Sequence, residues 1–160
     1  MAVNILHETD TIVMGQEQDG FRALAIMLSL ASLALDYSQE PLFSALERAQ
    51  HAIATRTYAI CYERTDRKSP LLVPVAFVTW AKLSRPSETV FVNRLRPLLP
   101  TELTTGNALW VIDMVAQYGH SPDILKFLAV HFKEFKSFKA TRWRDDKIRV
   151  VTFKNEVKGT

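Results

Sequence analysis

The stretch Trp110-Val111-Ile112-Asp113-Met114-Val115-Ala116-Gln117-Tyr118-Gly119 decides the fold. Apolar residues flank Asp113 on both sides and a glycine closes the run. The segment therefore reads as a buried strand with one acid in its middle, ending on a turn. A carboxylate in such a place must be paired, hydrogen-bonded or used in chemistry, because burying an unpaired charge is strongly unfavourable. Asp113 is thus a candidate site residue on physical grounds alone.

Working outward, Ser121-Pro122-Asp123 reads as a helix start, with a capping serine and a proline in the first turn. The helix is expected to run to about Phe135, with Ile124, Phe127, Leu128 and Phe132 inward. Two last strands follow, about Phe138 to Trp143 and Ile148 to Phe153, joined by a turn at Arg144-Asp145-Asp146-Lys147. Upstream, Gly106 marks a break, and a short helix is expected within Pro86 to Arg96, stopped by Pro97-Leu98-Leu99-Pro100. Thr57 to Glu63 and Val73 to Lys82 are rich in aromatic and branched residues and read as an antiparallel hairpin, with a polar turn over Arg64 to Pro70.

The first helix is expected from Gly20 to about Asp36 and is apolar on nearly all sides, so it should be covered on most of them. Pro41 suits the first turn of a second helix. There Leu42, Phe43, Leu46, Ala49 and Ile53 recur at helical spacing, while Glu47, Arg48 and Gln50 are expected to face away. Residues 1–19 read as a loosely held arm, and residues 20–160 as a single domain. The element order implies an α+β fold with a mainly antiparallel central sheet flanked by helices.

Bulk properties narrow the class. With 160 residues, 48% of them hydrophobic, the chain suits one domain with a real core. A charged fraction of 23% excludes a disordered chain. The single cysteine, Cys61, excludes an internal disulfide and sits in an apolar strand pattern that favours a buried, inert thiol. The most apolar run, Ala23 to Leu35, spans about 20 Å as a helix, short of a hydrocarbon core about 30 Å thick, so a buried helix is expected and no membrane span. The N-terminus lacks the basic start of a secretory signal, and a cytoplasmic location is expected.

The net charge of +3 is modest, but its distribution is uneven. Only acids precede Arg22, whereas the stretch from Lys133 to Arg149 carries Lys133, Lys136, Lys139, Arg142, Arg144, Lys147 and Arg149. That end could meet an acidic partner or form an ordinary solvated face. Nucleic acid is the weaker reading, because no recognition helix, zinc motif or glycine-rich motif accompanies the charge. The spacing of His7, His51, His120 and His131 with acids shows no metal-ligand pattern, so no metal is expected. Five glycines leave no phosphate loop, and no Gly-x-Ser-x-Gly elbow is present.

Three stretches carry a family resemblance. The first is Tyr58-Ala59-Ile60 with Val75-Ala76-Phe77-Val78-Thr79-Trp80-Ala81-Lys82-Leu83-Ser84, whose Trp-Ala-x-Leu-Ser core is specific. The second is Trp110-Val111-Ile112-Asp113 with Ala116 and Tyr118-Gly119. The third is the helix ending in Phe132, followed by Phe138-Lys139-Ala140-Thr141-Arg142. In order and spacing these resemble the RTX toxin-activating lysine acyltransferases. The resemblance implies a GNAT-like acyltransferase fold, acyl carrier protein as the acyl donor with no bound cofactor, a protein substrate with target lysines, and often a homodimer.

The family works with a histidine and an aspartate. The aspartate carries over onto Asp113. Counting back from Tyr58 by the family's interval reaches Tyr37 in Leu35-Asp36-Tyr37-Ser38-Gln39, where no histidine stands. Tyrosine is a poor base with its pKa near 10, yet it can donate a proton to a departing thiolate. Asp113 and Tyr37 are therefore the candidate catalytic residues. Trp80, Gly119, Arg142 and Arg144 are the candidate substrate-binding residues, although Trp80 alternates with core positions, where such a residue is more often packing than site. The apolar first helix, with Leu28, Leu30 and Leu35, is expected to help line an acyl groove. The rival reading is an inactive member of the fold serving as a protein-binding module.

Overall fold

A computed structural model describes residues 3–34, 37, 39–66, 68 and 71–156. Leu35, the expected helix end at Asp36 and part of the polar turn before Pro70 lie outside the described residues. The elements are β1 (Val3–Glu8), β2 (Ile12–Glu17), α1 (Gly20–Ser32), α2 (Leu42–Thr55), β3 (Tyr58–Arg64), β4 (Leu72–Leu83), α3 (Arg85–Val92), a 3₁₀ turn (Pro100–Leu103), β5 (Ala108–Val115), α4 (Ser121–His131), β6 (Ser137–Arg144) and β7 (Lys147–Lys154).

The strands form one seven-stranded sheet in chain order, β1 to β7. Every neighbouring pair is antiparallel except β5 and β6, which run parallel and meet only at Trp110 with Lys139 and Val111 with Ala140. This is the mainly antiparallel α+β architecture that the element order implied, and it is compatible with a GNAT-like acyltransferase fold. Residues 3–17 are not a loose arm. They form a hairpin whose second strand pairs with β3 through Ile12–Glu63 to Gly15–Ile60. Ile12, Val13 and Met14 are buried in it, and that apolar triplet, only three residues long, is too short to declare itself between polar flanks.

Alternation along the strands sorts the core onto two faces. Tyr58, Ile60, Tyr62, Phe77 and Val115 pack under α1 and α2 with Ala23, Met27, Leu30 and Ala31. Ala59, Cys61, Ala76, Val78, Trp80, Leu109 and Val111 pack under α4 with Ile124, Phe127 and Leu128. The 3₁₀ turn adds a third cluster, in which Leu103 meets Ala81, Leu83 and Trp110. Burying such large side chains contributes about 1.5–3 kcal/mol each.

Local signals set several ends. Asp19 caps α1 by accepting from the amides of Phe21 and Arg22, and Ser84 caps α3 by accepting from the amide of Ser87. Ser121 is the first residue of α4 rather than its cap; His120 takes the capping position without a side-chain bond. The β6–β7 turn places Asp145 and Asp146 at φ 53° and 58°, the left-handed pair that matches the twist of a tight hairpin.

One irregularity positions the site. Between β4 and β5 the register passes from Thr79–Asp113 to Trp80–Val111, leaving Ile112 as an extra residue. This β-bulge turns Asp113 toward α1 and α2, whereas Val111 faces α4. The hydroxyl of Thr79 accepts from the Asp113 amide over 3.0 Å.

Candidate active site

Asp113 is buried, at 9% exposure. It lies at a small, mainly apolar and partly open depression with a cavity volume of about 10 Å3, room for about one water molecule. Met27, Leu28 and Ala31 of α1, Ala45 and Ala49 of α2, and Phe77 of β4 supply the apolar lining. Tyr37, Arg48, Thr79 and Asp113 supply the polar part.

The polar groups form one network. The Tyr37 hydroxyl donates to Asp113 Oδ1 over 2.8 Å. Arg48 donates from Nε to Asp113 Oδ2 over 3.0 Å and from Nη2 to Oδ1 over 3.1 Å. The same guanidinium reaches Glu40 through Nη1 and, over 2.8 Å, through Nη2. Charge-assisted bonds of this fork geometry are the strong kind.

These contacts bias ionisation. Burial, then the charge and the hydrogen bond of Asp113, push the Tyr37 phenol well above its usual pKa. Tyr37 is therefore a neutral hydrogen-bond donor and not a base. For Arg48, burial works against the cation, but the bond to Glu40 and the charge of Asp113 outweigh it and raise its pKa.

The two candidate catalytic residues, Tyr37 and Asp113, are thus brought together. The candidate substrate-binding residues are not. Trp80 lies on the opposite face of the sheet, with its ring centroid 6.0 Å from Phe127 and 5.3 Å from Phe132. Trp80 follows Thr79 in a regularly alternating strand, so it must point away from the Asp113 face and belongs to the core. Gly119 sits at φ 89° in the turn after β5, where a Cβ would meet nothing within 4 Å, so its backbone conformation rather than close approach selects glycine. In the same turn the Gln117 side-chain amide donates to the Leu33 carbonyl. Arg142 and Arg144 are exposed on the β6–β7 hairpin, beyond the last β5–β6 pair at Ala140.

Of the expected groove residues, Leu28 lines the depression and Leu30 lies in the core under α1. The histidines stand apart. His51 Nδ1 bonds the Leu98 carbonyl at 3.2 Å. His120 lies between Asp123 and Glu63, at 3.3 and 3.5 Å. His131 stacks on Phe127, and burial lowers its pKa. Burial also pushes the Cys61 thiol up to about 12, consistent with an inert core residue.

Arg48 and Glu40 are the residues that sequence reasoning missed. The large side chains of Leu42 and Phe43 suggested the inward face of α2, yet they are 70% and 72% exposed. The buried stripe is instead Ala49 and Ala52 with the pocket-facing Ala45, and Arg48 sits beside it. The available signal was the alanine spacing at 45, 49 and 52, which marks where helices approach closely.

A model of the RTX toxin acyltransferase family matches residues 39–154. The chain belongs to this family. Among individual relatives, the leukotoxin-activating lysine-acyltransferase LktC of Pasteurella haemolytica-like sp. (strain 5943B) is 39% identical over 54 residues, covering 34% of this chain and 33% of the relative. The protein-lysine myristoyltransferase HlyC of Escherichia coli is 32% identical over 69 residues, covering 43% and 40%. The RTX-II toxin-activating lysine-acyltransferase ApxIIC of Actinobacillus pleuropneumoniae is 32% identical over 59 residues, covering 37% of each. The chain thus aligns with only 33–40% of the length of these three family relatives. Among the described residues, no helix is long and apolar enough to cross a membrane.

Proposed function

We propose that the protein transfers a fatty acyl group from acyl carrier protein to lysines of a partner protein. The observation that carries this reading is the Asp113 carboxylate, fixed by Tyr37 and Arg48 at an apolar depression. Membership of an acyltransferase family points the same way.

In the proposed reaction the lysine ammonium is drawn to Asp113 and loses a proton to solvent. The amine then attacks the thioester carbonyl, the C–N bond forms, and the C–S bond of the tetrahedral intermediate breaks. The second amine proton leaves with the thiolate as a thiol. Asp113, bonded to the Arg48 guanidinium, supplies electrostatic attraction and orientation. Tyr37, kept as a neutral phenol, holds the carboxylate in place through its hydrogen bond.

The carrier protein is acidic in this reading and docks on the β6–β7 hairpin. Arg142 stands directly opposite Arg149, and Arg144 opposite Lys147. Like charges so placed repel, and an anionic partner relieves that repulsion. A homodimer and a cytoplasmic setting complete the proposal.

The test is co-expression with an RTX-type toxin, followed by mass spectrometry of its lysines. A long-chain acyl adduct that requires this protein supports the reading. A stable complex with no adduct overturns it in favour of a protein-binding module, a role suggested by Tyr37 standing where the family's histidine is expected. Removal of the adduct by Asp113→Asn would place the carboxylate in the chemistry.

A further inference from the structure

We propose that Arg48 is a positioning residue of this site: gripped by Glu40, it fixes the Asp113 carboxylate in the orientation that meets the acceptor amine. The inference rests on the acyltransferase reading and adds a residue to it.

A carboxylate offers about four lone-pair sites. Asp113 Oδ1 takes two donors, Tyr37 Oη and Arg48 Nη2, and Oδ2 takes one, Arg48 Nε. Among the described residues, Oδ2 is thus the oxygen with the fewer donors. An aspartate held by Tyr37 alone could still rotate about its terminal torsion and present either oxygen. The planar guanidinium, bonded to both oxygens, removes that freedom.

Arg48 is itself fixed from the far side. Its Nη1 and Nη2 bond the Glu40 carboxylate, so one side chain joins the segment between α1 and α2 to strand β5. Among the described residues, Arg48 and Asp113 are the charged groups that line the depression. The lining from α1 is Met27, Leu28 and Ala31, that from α2 is Ala45, Ala49 and Arg48, and that from β4 is Phe77 and Thr79. Among the described residues, the polar groups facing Asp113 are Tyr37, Arg48 and Thr79, with Glu40 behind Arg48. A lysine at position 48 would keep the charge and lose the fork, so it should orient Asp113 poorly.

The experiment uses the full chain with acyl carrier protein loaded with a fatty acid and a toxin substrate. Arg48→Ala should lower kcat by about 100-fold, the scale expected when a reacting group is displaced by about 1 Å. KM for the acyl donor should stay unchanged. Millimolar guanidinium should restore part of kcat to Arg48→Ala, and Arg48→Lys should fall between that variant and the parent. An unchanged kcat, or a loss that guanidinium does not touch, overturns the inference. A parent protein that transfers no acyl group overturns the acyltransferase reading instead. The positioning claim then stands or falls on carbon NMR of the Asp113 carboxyl group: an identical signal in the parent and Arg48→Lys overturns it, and a displaced signal supports it.

Discussion

The Tyr37 hydroxyl donates to Asp113 Oδ1 over 2.8 Å, joining residues 76 positions apart in the chain. The bond connects the segment after α1 to the bulged strand β5, beside the two bonds that Arg48 of α2 makes to the same carboxylate. Tyr37→Phe removes the donor while Arg48 continues to hold Asp113. A hydrogen bond to a charged group contributes about 1.5–3 kcal/mol, and the variant should lose an amount near the lower end in urea denaturation. Its acyl-transfer rate, followed by mass spectrometry, should fall while the carboxylate stays bound.

Alkaline pH should unfold the protein cooperatively. Burial raises the phenol pKa of Tyr37 and of Tyr58, and burial together with the hydrogen bond to Glu17 raises that of Tyr62. For such groups the folded state disfavours the ionised form. Their contribution to stability is complete below the unfolded-state pKa of about 10 and is lost as pH rises from there toward the folded-state values. An ultraviolet difference titration should show these three phenols ionising together with the loss of the circular-dichroism signal. Gradual ionisation in a folded protein would contradict the burial.

Gly106→Ala should be far more damaging than Gly119→Ala. A Cβ at position 106 would lie 1.8 Å from the Leu83 carbonyl carbon and 2.0 Å from the Ser84 nitrogen, both backbone atoms. The Gly106 amide also donates to the Lys82 carbonyl at 2.8 Å. Relieving that overlap means shifting β4, at about 3 kcal/mol. Position 119 has open space and only a positive φ to satisfy, worth about 1–2 kcal/mol. Thermal denaturation of the two variants should show the order.

Trp80 should behave as a core residue and not as a substrate contact. It packs against Phe127, His131 and Phe132 on the face away from Asp113. Trp80→Ala should cost roughly 3–5 kcal/mol, read from urea unfolding. Trp80→Phe should preserve KM for both substrates, whereas a raised KM would return Trp80 to the site.

Much of the architecture was readable in advance because it rests on short-range pattern. The hairpin of Tyr58–Arg64 and Leu72–Leu83, the strand carrying Asp113, and the proline-started helix at Ser121 each declare themselves by periodicity and local punctuation. The N-terminal hairpin did not, since its strands are short and the buried Gln16 and Glu17 look like surface residues. Glu17 is tolerated inside because the Tyr62 hydroxyl donates to it over 2.6 Å and Arg22 pairs with it at 3.3 Å, partners legible only in three dimensions.

The sequence by itself determined that Asp113 would be buried in a strand and would need partners, because desolvation of a carboxylate is a local cost that apolar neighbours reveal. Only the tertiary structure decided which partners those are and which way the carboxylate points. A one-residue bulge opposite Thr79 turned Asp113 toward α1 and α2, and the rotation of α2 about its axis brought Arg48, with Glu40 behind it, to meet it. The orientation of α2 follows from how small side chains such as Ala45 and Ala49 pack against the neighbouring layer, a property of the assembled core rather than of any single stretch of chain.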